Sequence, residues 1–194
     1  MMAYRLVGEG DPVRLFVGGL HGNEWMDTSD ILEELEPPEV GSLAIIPVVC
    51  KEKYVSTLEE HYYKTLGRPI IEAVNELRPS IYIEFHSYSK KNQKHLTDVE
   101  RIHKTGVPAY SQLDNDVLLG SVSPVIRRKH FPMEALCLSF EIQKDNIISK
   151  EYGAKLARKM KECLSKDHFI EQLKKRYPAQ TSKVIEDYRN FYGL

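Results

Sequence analysis

The chain has 194 residues, 42% of them hydrophobic and 28% charged, and a formal net charge of −1 at pH 7. That is enough for one compact domain with its own core, and the near-neutral balance gives no electrostatic reason to expect nucleic acid or an anionic membrane as partner. No apolar run approaches the ~20 residues of a membrane span.

Met1-Met2-Ala3-Tyr4-Arg5 lacks the apolar core and small-residue cleavage site of a signal peptide. Cys50, Cys137 and Cys163 form no pattern, and their apolar neighbours suggest reduced, buried thiols in a cytoplasmic protein. Tyr4-Arg5-Leu6-Val7 reads as a short edge strand, ended by a glycine-rich turn before Pro12. Residues 13–17 are apolar apart from Arg14 and read as a buried strand. Gly18-Gly19-Leu20 breaks it, and a helix is expected over about 24–35, with Trp25, Ile31, Leu32 and Leu35 near one face. Pro37-Pro38 stops that helix. Residues 43–49 form a continuous apolar run, as in a sheet covered on both faces, and Pro47 points to a sheet margin or bulge at its end. Residues 51–66 are polar and tyrosine-rich without a clear period, and Tyr54, Tyr62 and Tyr63 read as packing and rim residues.

A helix is expected over 69–77, with Pro69 in its first turn. Residues 81–86 alternate with period two, a strand signal. Residues 89–104 read as polar loop plus helix, and residues 118–122 and 135–142 as further strands. Ser149 looks like an N-cap, with Tyr152, Leu156 and Met160 along one helix face. Residues 166–194 read as a charged helical segment broken at Pro178. The alternation of strands and helices predicts a three-layer α/β/α fold with a largely mixed central sheet, in one domain spanning 1–194.

The chemistry is concentrated at strand ends. His21 and Glu24 stand three residues apart at a helix start, so both side chains lie on one side of the turn. Such a pair can hold Zn²⁺, which accepts histidine nitrogen and carboxylate oxygen. The plain alternative is a strand-to-helix turn whose polar residues cap the helix. His86 ends its own strand, and Glu84 shares its parity. Ligands of open α/β sheets gather beyond the carboxyl ends of strands, so His21 and His86 could converge there. Glu84 could receive the second imidazole N–H of a metal-bound His86, or sit in a structural ion pair. Glu141 closes the strand over 135–142, on the face opposite Leu136, Leu138 and Phe140. Buried unpaired it is costly; beside a metal-activated water it is a natural general base. His61, His95, His103, His130 and His168 lie in polar segments and read as solvated surface residues. Arg127-Arg128-Lys129 is a basic run, either a solvated loop or a border of the cleft.

Gly18-Gly19-Leu20-His21-Gly22-Asn23-Glu24, then Ile83-Glu84-Phe85-His86-Ser87, then Phe140-Glu141 resemble the zinc carboxypeptidase superfamily. The nearest branch is the succinylglutamate desuccinylases and aspartoacylases, and the chain resembles a small archaeal family of unassigned function. The resemblance spans roughly residues 12 to 142. It implies a zinc-carboxypeptidase-like fold, His21, Glu24 and His86 as zinc ligands, and Glu141 as the catalytic carboxylate. Glu84 stands where the family usually has aspartate. No Asn-Pro follows Val48-Val49, and the family's Asn-Arg pair for a substrate carboxylate is missing between Tyr54 and Ile81. Arg68 is the nearest stand-in for that arginine, with Arg127 and Arg128 as further cationic candidates for substrate binding.

Two functions are therefore expected to compete. The first is a zinc-dependent hydrolase that cleaves an amide bond in an N-acyl amino acid or at a peptide C-terminus, using metal-activated water and Glu141 as general base. The second is a non-catalytic metal-binding or regulatory protein that keeps the scaffold.

Overall fold

A computed structural model describes residues 4–193. Its strands are β1 Arg5–Glu9, β2 Val13–Gly18, β3 Gly41–Ile46, β4 Ile81–Tyr88, β5 Ser111–Gln112, β6 Leu118–Ser121 and β7 Leu136–Gln143. They form one sheet in the order β1-β3-β2-β4-β7-β6-β5. β3, β2, β4 and β7 run parallel. β1 and β6 run antiparallel to β3 and β7, and β5 antiparallel to β6, so the sheet is mixed.

The helices are α1 Trp25–Glu33, α2 Arg68–Leu77, α3 Gln93–Thr97, α4 Arg101–Thr105, α5 Pro124–His130, α6 Ile147–Met160, α7 Lys166–Arg176 and α8 Pro178–Tyr192. One sheet face, carrying Phe16, Ile45, Ile83, Phe85 and Phe140, packs against Ile31 and Leu32 of α1, Leu156 of α6 and Phe169 of α7. The other, carrying Leu15, Val17, Ala44 and Tyr82, packs against Ile70 and Val74 of α2 and Ile126 of α5. This is a three-layer α/β/α fold, as the alternation of elements requires.

The parallel strands are buried on both faces because helices cover both. β4 is buried at all eight positions, so its alternation does not mark one wet and one dry side; it separates a face that is apolar up to Ser87 from a face that carries Glu84 and His86. The edge strand β1 is mostly exposed, as its charged residues suit. Pro47 lies just past the end of β3, which is an inner strand, so it removes no ladder hydrogen bond.

Two local expectations are corrected. The basic run at 127–129 is not a loop but part of α5, which Pro124 opens and the Ser123 side chain caps. The cap of α6 is Asn146, whose side chain accepts from the Ser149 N–H; the Ser149 hydroxyl instead accepts from the Gln143 N–H, tying the helix start to β7. Cys50, Cys137 and Cys163 are all free and buried. None of the described helices is long and apolar enough to cross a membrane.

Candidate metal centre

β2, β4 and β7 are neighbours in the parallel part of the sheet, and their carboxyl ends lie side by side. β2 ends at Gly18, and the chain turns at once through Gly19, which has φ +55. A β-carbon there would sit 2.8 Å from that of Trp25, so the turn into α1 requires glycine. This tight turn delivers His21 and Glu24 beside the end of β4. Glu24 makes no side-chain cap bond to α1; its carboxylate faces the site instead.

His86 Nδ1 lies 3.2 Å from Glu24 Oε1, and His21 Nδ1 lies 3.6 Å from the same oxygen. Ligand atoms of His21, Glu24 and His86 all fall within 4.8 Å of one another. The second Glu24 oxygen accepts from the His21 backbone N–H at 3.3 Å. Glu84 Oε2 sits 3.0 Å from His86 Nε2, so the second face of that imidazole is taken by a carboxylate. Both ring nitrogens of His86 thus face carboxylate oxygens, an arrangement that favours the protonated ring while no metal is bound.

The charges follow from this crowding. Burial disfavours the His86 cation, but Glu24, Glu84 and Glu141 outweigh it and hold its pKa well above the ordinary imidazole value. Burial also works against the Glu24 anion, yet His86, His21 and the Ser87 N–H bring its pKa below the usual carboxylate value. His21 goes the other way, because burial outweighs the attraction of Glu24.

Glu141 of β7 is the register partner of His86 on β4. It is buried, and it stands outside the group of three converging donors. Burial lifts its pKa to about 7; Glu24 adds to the rise, and His86, Arg101 and the Tyr110 hydroxyl oppose it. The carboxylate therefore sits where a proton can be gained or lost near neutrality. All these side chains line one cleft of about 370 Å³.

The family described as "Uncharacterized protein conserved in archaea (DUF2119)" matches residues 9–193. The chain belongs to this family. The "Uncharacterized protein MJ0501" of Methanocaldococcus jannaschii is 36% identical over 189 residues, which cover 93% of this chain and 91% of that protein.

The three arginines expected at the substrate are elsewhere in this family member. Arg68 is 73% exposed in its side chain and pairs with Glu72 on its own helix at 2.7 Å. Arg127 is buried and fully employed: it donates to the carbonyls of Phe131 and Met133 and to the Tyr188 hydroxyl. It closes the end of α5 and ties that helix to α8. Arg128 donates to the Phe191 carbonyl and lies over the rings of Phe191 and Tyr192. None of the three lines the cleft.

Arg101 does line it, together with Tyr110 and Lys144. The Arg101 guanidinium donates to the Pro108 carbonyl at 2.6 Å and lies 5.0 Å over the Tyr110 ring. Its buried Nε has no hydrogen-bond partner, and among the described residues its charge is felt by Glu141 across the cleft without a direct ion pair. Tyr110 packs its ring on Gly120, where a β-carbon would stand 2.6 Å away, and shares a hydrogen bond with Ser139. Of the remaining histidines, the exposed His95 stands at the cleft rim.

Proposed function

We propose that the protein is a zinc-dependent hydrolase that cleaves an amide bond in a small N-acyl amino acid or peptide. The observation that carries this reading is the convergence of His21, Glu24 and His86 beside Glu141, at the carboxyl ends of three adjacent parallel strands. The donor set suits zinc: two imidazole nitrogens and one carboxylate oxygen, with the outer nitrogen of His86 held by Glu84. Three protein donors also leave room for a reacting group. When bound there, zinc polarises a carbonyl and makes water acidic enough to attack near neutral pH. The zinc-carboxypeptidase resemblance of the three sequence motifs points the same way.

In this reading His21, Glu24 and His86 hold the metal and Glu84 fixes the His86 ring. Glu141 accepts the proton of the attacking water on its carboxylate and passes it to the departing amine nitrogen. A carboxylate beside the three donors is placed for both transfers. Arg101 replaces Arg68, Arg127 and Arg128 as the cation that meets a substrate carboxylate, because it lines the cleft without an acidic partner. Cleavage of a panel of N-acyl amino acids and short peptides by zinc-loaded protein tests the reading. Release of amine from one member is the expected result, and no turnover across the panel counts against it. Zinc binding without turnover would favour the second reading, a metal-binding protein without catalysis, which the missing Asn-Arg pair between Tyr54 and Ile81 supports.

A further inference from the structure

Behind the metal-centre residues lies a buried cluster of tyrosines. Tyr62, Tyr63 and Tyr82 are between 0% and 5% exposed. Glu84, itself 1% exposed, accepts two phenol hydrogen bonds on Oε1, from Tyr82 at 2.7 Å and from Tyr63 at 3.3 Å. Its other oxygen faces His86 Nε2. A buried carboxylate with one unpaired oxygen would be costly and free to turn. Two phenols on Oε1 leave Oε2 one orientation, toward the imidazole.

The neighbouring tyrosine reaches the other arm of the centre. Tyr62 donates to the Leu20 carbonyl at 2.7 Å, and Leu20 immediately precedes His21. Its ring meets that of Tyr63 edge-on, with centroids 4.9 Å apart. Gly67 lets the chain close over this pair, because a β-carbon there would lie 2.5 Å from the Tyr62 ring. Tyr82 is fixed in turn by stacking on Phe131 at 4.9 Å. One dipeptide, Tyr62-Tyr63, thus touches both the strand end that carries His21 and the carboxylate that orients His86.

We propose that Tyr63 and Tyr82 are positioning residues for the metal centre, locking Glu84 so that His86 presents Nδ1 to the site, while Tyr62 anchors the His21 turn. The proposal rests on the metal-centre reading above. Burial and the Glu84 charge raise the phenols of Tyr63 and Tyr82 well above their ordinary value, so both remain hydrogen-bond donors to Glu84.

Tyr82→Phe and Tyr63→Phe remove one hydroxyl each and keep the rings. Tyr152→Phe is the control: it deletes a buried hydroxyl on the opposite face of the sheet, where Tyr152 bonds Tyr177. Zinc affinity is read by competition with a chromophoric chelator on folded protein. Outer partners of metal-bound histidines typically contribute about 10- to 100-fold in affinity. Because the phenols act on His86 through Glu84, a loss toward the lower end of that range is expected for Tyr82→Phe and for the double variant, a smaller one for Tyr63→Phe, and none for Tyr152→Phe. Wild-type affinity in Tyr82→Phe and Tyr63→Phe, or an equal loss in Tyr152→Phe, overturns the proposal.

A second measurement separates this idea from the metal reading. In metal-free protein the His86 Nε2–H, held by Glu84, should give a slowly exchanging proton resonance. It should exchange faster in either single variant, and in the double variant if that folds. If wild-type protein takes up no zinc, the metal reading falls, and this resonance alone decides the positioning role: unchanged exchange in the variants rejects it.

Discussion

β4 and β7 carry two opposite lessons on their two faces. On one face Ile81, Ile83, Phe85, Leu136, Leu138, Phe140 and Ile142 are apolar, and only Ser87 at the carboxyl end of β4, bonded to Asp27, interrupts them. On the other, Tyr82 and Cys137 begin as core, and Glu84, His86, Ser139 and Glu141 turn polar toward the carboxyl ends. All of these residues are buried, so burial alone does not distinguish core from site. The difference is what each buried group meets. The apolar face gains from every contact. The polar face buries carboxylates that would be costly alone, and it offsets them with the imidazole of His86 and the phenols of Tyr63 and Tyr82. It is on this buried polar face that the proposed chemistry rests.

The sharpest way to break this contrast is to change one atom type on the polar face. Glu141→Gln keeps shape and removes the base. Turnover on an identified substrate should fall by about 10²–10⁴-fold, while zinc content and thermal stability stay near wild type. Loss of zinc in this variant would make Glu141 a ligand, and full activity would remove it from the mechanism. The matching change on the apolar face, one strand position away, is Phe140→Ala. It removes a ring stacked on Phe85 at 5.6 Å. Denaturant unfolding should show a loss of about 3–5 kcal/mol, and the fraction that remains folded should bind zinc normally. A large fall in zinc affinity of the folded fraction would mean that the faces are coupled and the contrast is too simple.

His86→Ala tests the junction between the two. Removing a ligand should weaken zinc binding by more than the ~10- to 100-fold typical of outer partners, whereas His95→Ala at the rim should leave it unchanged. In the proposed centre zinc would displace a proton from His86, whose Nδ1 lies 3.2 Å from Glu24, so uptake should release protons and affinity should fall as pH is lowered. Equal effects from the two histidines would show that the wrong one has been chosen.

The polar face was legible in the sequence wherever its signal was local. The Gly-Gly break, the spacing of His21 and Glu24, and the parity of Glu84 with His86 and of Cys137 with Glu141 all fall within one element or turn. Long-range placement was not legible. Arg127 looks like a solvated charge because nothing nearby shows that Phe131, Met133 and Tyr188 will surround it; Tyr188 lies 61 residues away. Arg101 sits in an aperiodic polar stretch, and its place in the cleft depends on how α3 and α4 fold over the strand ends. Tyr63 reads as packing until Glu84, on a separate strand, is seen to need its hydroxyl.

The arginines give the smallest effects and the cleanest contrast. Arg101→Gln should raise KM for an acid substrate without altering that for its uncharged amide analogue. A hydrogen bond to a charged group contributes about 1.5–3 kcal/mol, or roughly 10- to 100-fold in discrimination. Arg68→Ala should change neither substrate. Its guanidinium is exposed and already paired with Glu72 four residues along the helix, an arrangement that contributes only about 0.3–0.5 kcal/mol to stability. The two variants lose the same charge from the same chain, so net charge and long-range attraction change alike. Only the position differs. If Arg68→Ala erases the preference for the acid and Arg101→Gln does not, the substrate approaches from the α2 side and the cleft bounded by α4 is not where its carboxylate is read.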